Sequence, residues 1–253
     1  MEKGVRTGTN NGGAAVVLVH GAWHGAWCWE RVVALLRSTG VNVVAVDLPG
    51  HGADPGPLLD LHGDATRVRQ ILDGLDGPAI LVGHSYGGAV ITDAGAHAAV
   101  SHLVYVCALA LDAGETCASA ATSEPDAAGI SHEGRPNLGD GLIVDDHGAV
   151  TLDPTVAASC LYNDCDAATV AWALDQLGPH PMAALQQSPA SIARQSKPST
   201  YVVCSNDMAI HPDLQRILAG RCTTSVEWES DHSPFLSRPE ALADLLEGLS
   251  SAG

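Results

Sequence analysis

Short β-branched runs alternate with helical patterns along this chain. Apolar spacings of three and four residues, as in Val68, Ile71, Leu72 and Leu75, predict amphipathic helices. Most of the predicted strands are continuous apolar runs, which is typical of parallel strands covered on both faces. They are Ala15–His20, Asn42–Asp47, Ala79–Val82, His102–Val106, Thr200–Cys204 and Thr224–Trp228. This alternation predicts an α/β fold built on a doubly wound, mostly parallel six-stranded sheet.

Two helices near the carboxyl end have recognisable first turns. Pro212 and Asp213 open one of them. Ser237 lies three residues before Glu240, with Pro239 between them, and this spacing predicts a capping box for the last helix.

The stretch between the fourth and fifth predicted strands breaks the alternation. From about Asp112 to Lys197 no parallel strand recurs, and a Gly-, Asp- and His-rich loop at 129–148 precedes further helical patterns. A gap of this length predicts an inserted, mostly helical cap at residues 112–197. Residues 14–111 and 198–253 then form one core, since 253 residues are too few for two full domains.

The first thirteen residues are polar and rich in Gly, Asn and Thr. They lack the apolar run of a signal peptide, so we expect a disordered tail at 1–13 and a cytoplasmic protein. The seven cysteines include no C-x-x-C pair. Their pattern favours reduced thiols, with neither a disulfide framework nor a zinc site, and we expect no bound metal.

The charge of the chain restricts its partners. It has 29 acidic and 12 basic residues, a formal net charge of −17. Such a chain repels nucleic acid and anionic membranes. No stretch approaches the roughly 20 uninterrupted apolar residues of a membrane span. The expected partner is a small-molecule substrate, and the sequence leaves a homodimer open.

A serine lies where a predicted strand meets a predicted helix. Gly-His-Ser-Tyr-Gly at 83–87 is a G-x-S-x-G motif that follows the strand Ala79–Val82 and precedes a small-residue helical run. The motif alone is weak, but a strand–serine–helix junction is what the nucleophile elbow of an α/β-hydrolase requires. A turn this tight needs glycine on both sides of the serine. Ser85 is therefore the predicted nucleophile.

A serine hydroxyl needs a general base, and the chain has twelve histidines. In this fold the base follows the last strand. His232 follows the strand Thr224–Trp228 and precedes the last helix, and Pro234 favours a loop at this point. Other histidines have different expected places. We expect His24, His51 and His84 in the walls of the site, and His132, His147 and His180 solvated in the cap.

The catalytic acid should follow the strand before that one. Asp207 is the only carboxylate in the turn that follows Thr200–Cys204. Asp213 is the runner-up, but it lies in a first helical turn, where the helix dipole already explains an aspartate. Asp207 is predicted to hold the tautomer of His232 and to stabilise its imidazolium form.

The oxyanion of a tetrahedral intermediate needs hydrogen-bond donors. We predict the backbone N–H groups of Ala22 and Tyr86, with Gly21 allowing a sharp turn after the first strand. The first and third strands should be neighbours at the switch point of the sheet, which would bring Ala22 beside Ser85.

Tryptophans cluster after the same turn, although only 4% of residues are aromatic. Trp23 is predicted to border the substrate pocket, whereas Trp27 and Trp29 are predicted to pack between the first helix and the cap. Asp47, after the second strand, is interpreted as a structural carboxylate that holds a loop through backbone hydrogen bonds.

Together these segments resemble the α/β-hydrolases grouped with plant methylesterases and salicylic-acid-binding esterases, and their bacterial relatives. The matching segments are 17–29, 47–52, 83–88, 161–165, 203–207 and 231–234. The resemblance implies a helical cap over the carboxyl end of the sheet, no cofactor, and Ser85, Asp207 and His232 as a catalytic triad.

The same group contains hydroxynitrile lyases, which the chain also resembles. Those enzymes carry threonine in place of Gly21 and lysine in place of Ser233. Both departures argue against cyanohydrin cleavage, because the lysine charge stabilises the leaving cyanide.

The predicted function is hydrolysis of a carboxylic ester of a small apolar substrate through an acyl-enzyme. Lactone opening, C–C cleavage and cyclisation are alternatives on the same scaffold, since function resides in the pocket rather than the fold. A ligand receptor that retains the triad is the alternative from a different class.

Overall fold

The computed structural model describes residues 13–121, 129–131 and 133–252. The predicted disordered tail at 1–13 therefore lies outside the described residues, apart from Gly13. The chain is already fixed at Ala14, whose N–H donates to the carbonyl oxygen of Ser250 over 3.1 Å.

Six parallel strands form the main sheet, as the sequence predicts, in the order β2-β1-β3-β4-β8-β9. They are β1 (Ala15–Val19), β2 (Val43–Val46), β3 (Ala79–His84), β4 (Val100–Val106), β8 (Ser199–Cys204) and β9 (Thr224–Trp228). The strand order reverses at β1, which lies between β2 and β3. The expected pairing of the first and third strands is confirmed, with Val19 opposite Gly83.

Helices cover both faces of the sheet. On one face lie α2 (Leu61–Asp73), α3 (Gly87–Ala94) and α7 (Pro212–Ala219), and on the other lie α1 (Glu30–Ser38) and α9 (Pro239–Ser251). Alternate side chains of one strand enter opposite cores: Val17 and Val19 face the first group of helices, whereas Val16 and Leu18 face the second. Burial on both faces explains why β1 and β3 are continuous apolar runs, whereas β9, at the edge of the sheet, is mostly exposed.

The segment between β4 and β8 contains more than the predicted helices. It includes α4 (Pro154–Leu161), α5 (Ala167–Gln176) and α6 (Met182–Leu185). It also includes a three-stranded antiparallel sheet of β5 (Leu142–Val144), β6 (Ala149–Leu152) and β7 (His180–Pro181). The expectation of a mostly helical insertion missed this sheet, and the boundaries 112–197 stay a prediction.

The hairpin between β5 and β6 forms where the sequence suggested a loop. The carboxylate of Asp145 accepts the N–H groups of His147 and Ala149 at 2.8 and 2.9 Å. Gly148 completes the turn with a φ of +80°. This Asx-type turn between two short apolar runs is a hairpin signal that the interpretation overlooked.

The predicted capping box at the last helix is wrong. Ser237 ends a short helix, α8 (Pro234–Ser237), and α9 begins after Arg238 without a side-chain cap. The hydroxyl of Ser237 donates instead to Oδ1 of Asp231 over 2.8 Å. The partner of this serine is therefore a buried carboxylate and not the helix N–H that the sequence predicted.

None of the helices in the described ranges is both long and apolar enough to cross a membrane.

Candidate active site

Ser85 lies at the sharp turn between β3, which ends at His84, and α3, which begins at Gly87. Its φ of +52° falls in the left-handed region that side chains rarely adopt. A Cβ on Gly83 would lie 2.4 Å from the carbonyl oxygen of Gly87, and one on Gly87 would lie 2.7 Å from that of His20. The predicted junction and its need for flanking glycines are confirmed, and Ser85 remains partly exposed.

Asp207 and His232 form a buried pair. Nδ1 of His232 donates to Oδ2 of Asp207 over 2.7 Å. Since a carboxylate only accepts, Nδ1 carries the proton of this bond, which leaves Nε2 as the nitrogen available to act as a base. Asp207 also accepts the N–H groups of Ala209 and Ile210 on Oδ1, at 2.7 and 2.9 Å. The structure therefore brings together two of the three predicted triad side chains by direct contact.

Asp213, the alternative acid, lies in a different environment. Its side chain is 56% exposed, and it forms an ion pair with Arg216 one helical turn away. It is a surface residue in the first turn of α7, where the helix dipole favours an aspartate.

Gln215 is a site residue that the sequence interpretation missed. Its Nε2 donates to Oδ2 of Asp207 at 2.7 Å, and its Oε1 accepts the N–H of Cys204 at 2.9 Å. A signal was present, because Gln215 lies on the same face of α7 as the buried residues Leu214 and Leu218. A polar residue within an apolar stripe needs a buried partner, and here that partner is the predicted acid.

The turn after β1 comes close to the nucleophile. A Cβ on Gly21 would lie 2.9 Å from Cβ of Ser85 and 2.8 Å from Nδ1 of His84. The φ of Gly21 is not positive. This position therefore needs glycine for close approach and not, as expected, for a sharp turn. Within the described residues, the amides of Ala22 and Tyr86 donate to no protein acceptor.

Trp23 joins the core to the segment between β4 and β8. Its backbone has a φ of +65°, its side chain is 6% exposed, and its indole N–H donates to the carbonyl oxygen of Val150 over 2.9 Å. Its role at a substrate pocket stays a prediction. Trp27 meets Trp172 of α5 with ring centroids 5.3 Å apart, as its packing prediction requires. Trp29 is fully buried, and its ring packs against Phe235 of α8 with centroids 5.1 Å apart.

Asp47 holds a loop, as predicted. Its carboxylate accepts the N–H of Ala26 at 2.6 Å and that of Ala53 at 3.2 Å. It thereby fixes the segments that follow β1 and β2 and makes no contact with His232.

Buried neutral histidines surround the elbow. Burial is the largest cause that lowers the pKa of each one: His20, His24, His51, His84 and His180. The predicted solvation of His180 is therefore wrong. Its Nδ1 bonds to Nε2 of His51 over 3.0 Å, and its ring meets the ring of Tyr86 at 4.4 Å. His147 is exposed as predicted, and His132 lies outside the described residues.

Tyr86, which follows the nucleophile, is anchored from α2. Its hydroxyl donates to Oδ2 of Asp64 over 2.6 Å. Burial raises the pKa of the Asp64 carboxyl to about 7. This bond uses the side chain of Tyr86, whereas the predicted oxyanion role uses only its backbone N–H.

One turn of the inserted segment, Tyr162–Cys165, contacts the loops that carry the acid and the base. The side-chain amide of Asn163 donates to the carbonyl oxygen of Asn206 over 3.1 Å. The backbone N–H of Asp164 donates to Oδ2 of Asp231 over 3.1 Å. Asn206 and Asp231 immediately precede Asp207 and His232, so this cap turn stabilises both loops.

Three groups with metal-ligand chemistry also meet here. Ligand atoms of His84, Cys107 and His232 lie within 4.8 Å of one another. They come from β3, the end of β4 and the loop after β9, so no spacing in the sequence could reveal them. Nε2 of His84 and Sγ of Cys107 both donate to the carbonyl oxygen of His232. The expectation of no metal stays a prediction.

The comparisons with known proteins agree with this architecture. A model of the alpha/beta hydrolase family matches residues 16–245, and the chain belongs to this family. Alpha/beta hydrolase nvfD of Aspergillus novofumigatus is 26% identical over 254 residues, covering 92% of this chain and 94% of its own.

Plant methylesterases are also similar, as the sequence motifs suggested. Putative methylesterase 14, chloroplastic, of Arabidopsis thaliana is 29% identical over 244 residues, covering 91% of this chain and 70% of its own. The crystal structure of the methylesterase protein MES16 from Arabidopsis matches with a TM-score of 0.76 at 26% identity, covering 95% of this chain and all of that one.

Proposed function

We propose that the protein is a carboxylic ester hydrolase in which Ser85 is the nucleophile, His232 the general base and Asp207 the acid that orients it. The observation that carries the proposal is the 2.7 Å bond from His232 Nδ1 to Asp207, with Ser85 on a glycine-flanked elbow in the same sheet. Similarity to proteins named methylesterases supports the ester as the substrate class.

The reaction begins when Oγ of Ser85 attacks the ester carbonyl carbon and its proton moves to Nε2 of His232. Asp207 stabilises the resulting imidazolium. The carbonyl oxygen becomes an oxyanion, for which the amides of Ala22 and Tyr86 are the proposed donors. Both are backbone groups on rigid turns, so they cost no reorganisation during the reaction.

Collapse of the tetrahedral intermediate breaks the bond to the alcohol oxygen, and that oxygen takes the proton from His232. The alcohol leaves, and an ester of Ser85 remains. His232 then removes a proton from water, which attacks the acyl carbon. The second intermediate releases the carboxylic acid and returns the proton to Ser85. Apart from the attacking water, each step uses only side chains and amides of this chain.

The test is a series of p-nitrophenyl esters of increasing acyl length, assayed with the wild type and with Ser85→Ala. We expect hydrolysis by the wild type and a fall in kcat of about 10⁴-fold or more in the variant. Ser101→Ala, at the amino end of β4, is the matched control and should keep full activity. A folded Ser85→Ala that retains a tenth of the wild-type rate would contradict the proposal.

A further inference from the structure

His84 is the immediate neighbour of the proposed nucleophile, and its side chain reaches the loop of the proposed base. Its Nε2 lies 2.8 Å from the carbonyl oxygen of His232. Because a carbonyl oxygen only accepts, Nε2 must carry the proton. A single side chain therefore links the residue before Ser85 to the main chain of His232.

From this contact we propose that His84 is a positioning residue: its Nε2–H group holds the main chain of His232 so that the imidazole stays aligned with Ser85. The inference rests on the proposed function of Ser85 and His232. In the proposed steps His84 transfers no proton and forms no bond with the substrate.

The ring of His84 packs against two neighbouring rings and the turn after β1. Its centroid lies 4.6 Å from that of His232, and its edge meets the ring of Phe235 at 4.8 Å. On the other side its Nδ1 lies 2.8 Å from where a Cβ on Gly21 would stand. The residue is fully buried. A ring held this way transmits the position of β3 to the loop before α8.

The charge state of His84 suits this role. Burial, together with the neighbouring His232 and His24, lowers its pKa well below the ordinary value. His84 therefore stays neutral and keeps its single ring N–H on the carbonyl oxygen. A second positive charge beside His232 would oppose formation of the imidazolium during ester attack.

The loop of His232 needs such an anchor. The bond to Asp207 fixes the Nδ1 side of the ring, but the main chain between β9 and α8 has no regular structure. Its carbonyl oxygen accepts from His84 at 2.8 Å and, more weakly, from Sγ of Cys107 at 3.3 Å. A misplacement of about 1 Å in a catalytic group can cost about 100-fold in rate.

Substitutions at His84 separate a donor role from simple packing. Glutamine can place its amide N–H near the position of Nε2, whereas leucine fills the space without a donor. We expect His84→Leu to lose 10- to 100-fold in kcat with KM within threefold, and His84→Gln to stay within fivefold of wild type. The matched control is His102→Leu, which removes the 2.9 Å bond to Thr200 near the amino end of β4. It should keep wild-type kcat.

Proton NMR supplies a readout that packing alone would not move. The Nδ1 proton shared by His232 and Asp207 should resonate far downfield in the wild type and in His84→Gln, and should shift upfield or broaden in His84→Leu. If His84→Leu does not fold, His84→Asn takes its place, because its shorter amide cannot reach the carbonyl oxygen of His232.

Two results would overturn the positioning role. One is a folded His84→Leu or His84→Asn with more than half of the wild-type kcat. The other is a folded His84→Gln that is as slow as the variant without the donor. Failure of the proposed function looks different, since the wild type itself would then hydrolyse no ester or Ser85→Ala would remain active.

Discussion

The hydroxyl of Tyr162 donates to Nε2 of His24 over 2.8 Å, and Nδ1 of the same ring bonds to the carbonyl oxygen of Ala22 over 2.8 Å. The two bonds connect the inserted segment to the turn whose amide is proposed to bind the oxyanion. Tyr162 and His24 are both buried, and their positions are 138 residues apart in the chain.

Tyr162→Phe should weaken this connection. The ring still fills its place, but Nε2 of His24 loses its donor, which costs about 1–3 kcal/mol for a buried polar atom. We expect a fall in kcat of at least threefold, measured with a p-nitrophenyl ester. Tyr105→Phe is the control, since it removes a buried bond of 2.9 Å to Thr92 away from this turn. Equal kcat in the two variants would show that the connection serves stability alone.

Asp207→Asn keeps the volume of the acid but offers an amide donor where Nδ1 of His232 needs an acceptor. The imidazole then favours the wrong tautomer, and kcat should fall by about 10³- to 10⁴-fold. Asp213→Asn should leave kcat unchanged, because its carboxylate faces solvent and Arg216. Steady-state kinetics and melting temperatures of both variants decide this. A crippled Asp213→Asn beside a healthy Asp207→Asn would reverse the assignment.

Mild acid should destabilise the fold. In the unfolded chain a histidine binds a proton below about pH 6.5, whereas the buried histidines of the folded protein stay neutral. Their contribution to the free energy of unfolding is therefore complete above pH 6.5 and is lost as the pH falls. The pKa of His24 is lowered to about 4, so between that pH and about 6.5 this residue alone lowers the free energy of unfolding by about 1.4 kcal/mol for each pH unit of acidification. The histidines that share this sign are His20, His24, His51, His84, His102 and His180.

Asp64 acts with the opposite sign, because its raised pKa of about 7 favours the folded state as the pH falls from 7 to 4. Burial also raises the pKa of Asp231, which therefore acts with the same sign as Asp64, but the histidines outnumber these two carboxyls. Urea denaturation at pH 7.5 and 5.5 should therefore give a free energy of unfolding lower by at least about 2 kcal/mol at pH 5.5. A free energy that is equal or higher at pH 5.5 would contradict the assigned protonation states.

Chelators should leave ester hydrolysis unchanged. The proposed steps use Ser85, His232 and backbone amides, and the donors of His84 and Cys107 are already engaged by a carbonyl oxygen. Overnight dialysis against EDTA followed by an ester assay tests this. A loss of activity that added zinc restores would instead give the cluster of His84, Cys107 and His232 a catalytic metal.

The parts of the site that were predictable obey local rules. Ser85 could be predicted as the nucleophile because the strand, the flanking glycines and the helix that form the elbow are adjacent in the sequence. Asp207 could be predicted as the acid because the strand order of the fold decides which turn lies next to His232. The contact between the two residues, 25 positions apart, follows from that order.

The parts that were missed depend on long-range contacts. His180 is buried because His51, 129 positions away, and Tyr86 pack on it, which no local pattern encodes. Ser237 donates its hydroxyl proton to Asp231, six positions earlier in the chain, and the residue at the N-cap of α9 is Arg238. The short sheet of β5 to β7 escaped because its strands have only two to four residues.

The proposed mechanism passes through a covalent acyl group on Ser85, which mass spectrometry of the intact protein can detect. The enzyme is mixed with excess p-nitrophenyl pivalate, the reaction is quenched in acid, and the mass of the intact protein is measured. The modified peptide is then sequenced. We expect the added mass of one pivaloyl group on the peptide that contains Ser85, and no added mass in Ser85→Ala. Labelling of another residue, or equal labelling of Ser85→Ala, would contradict it.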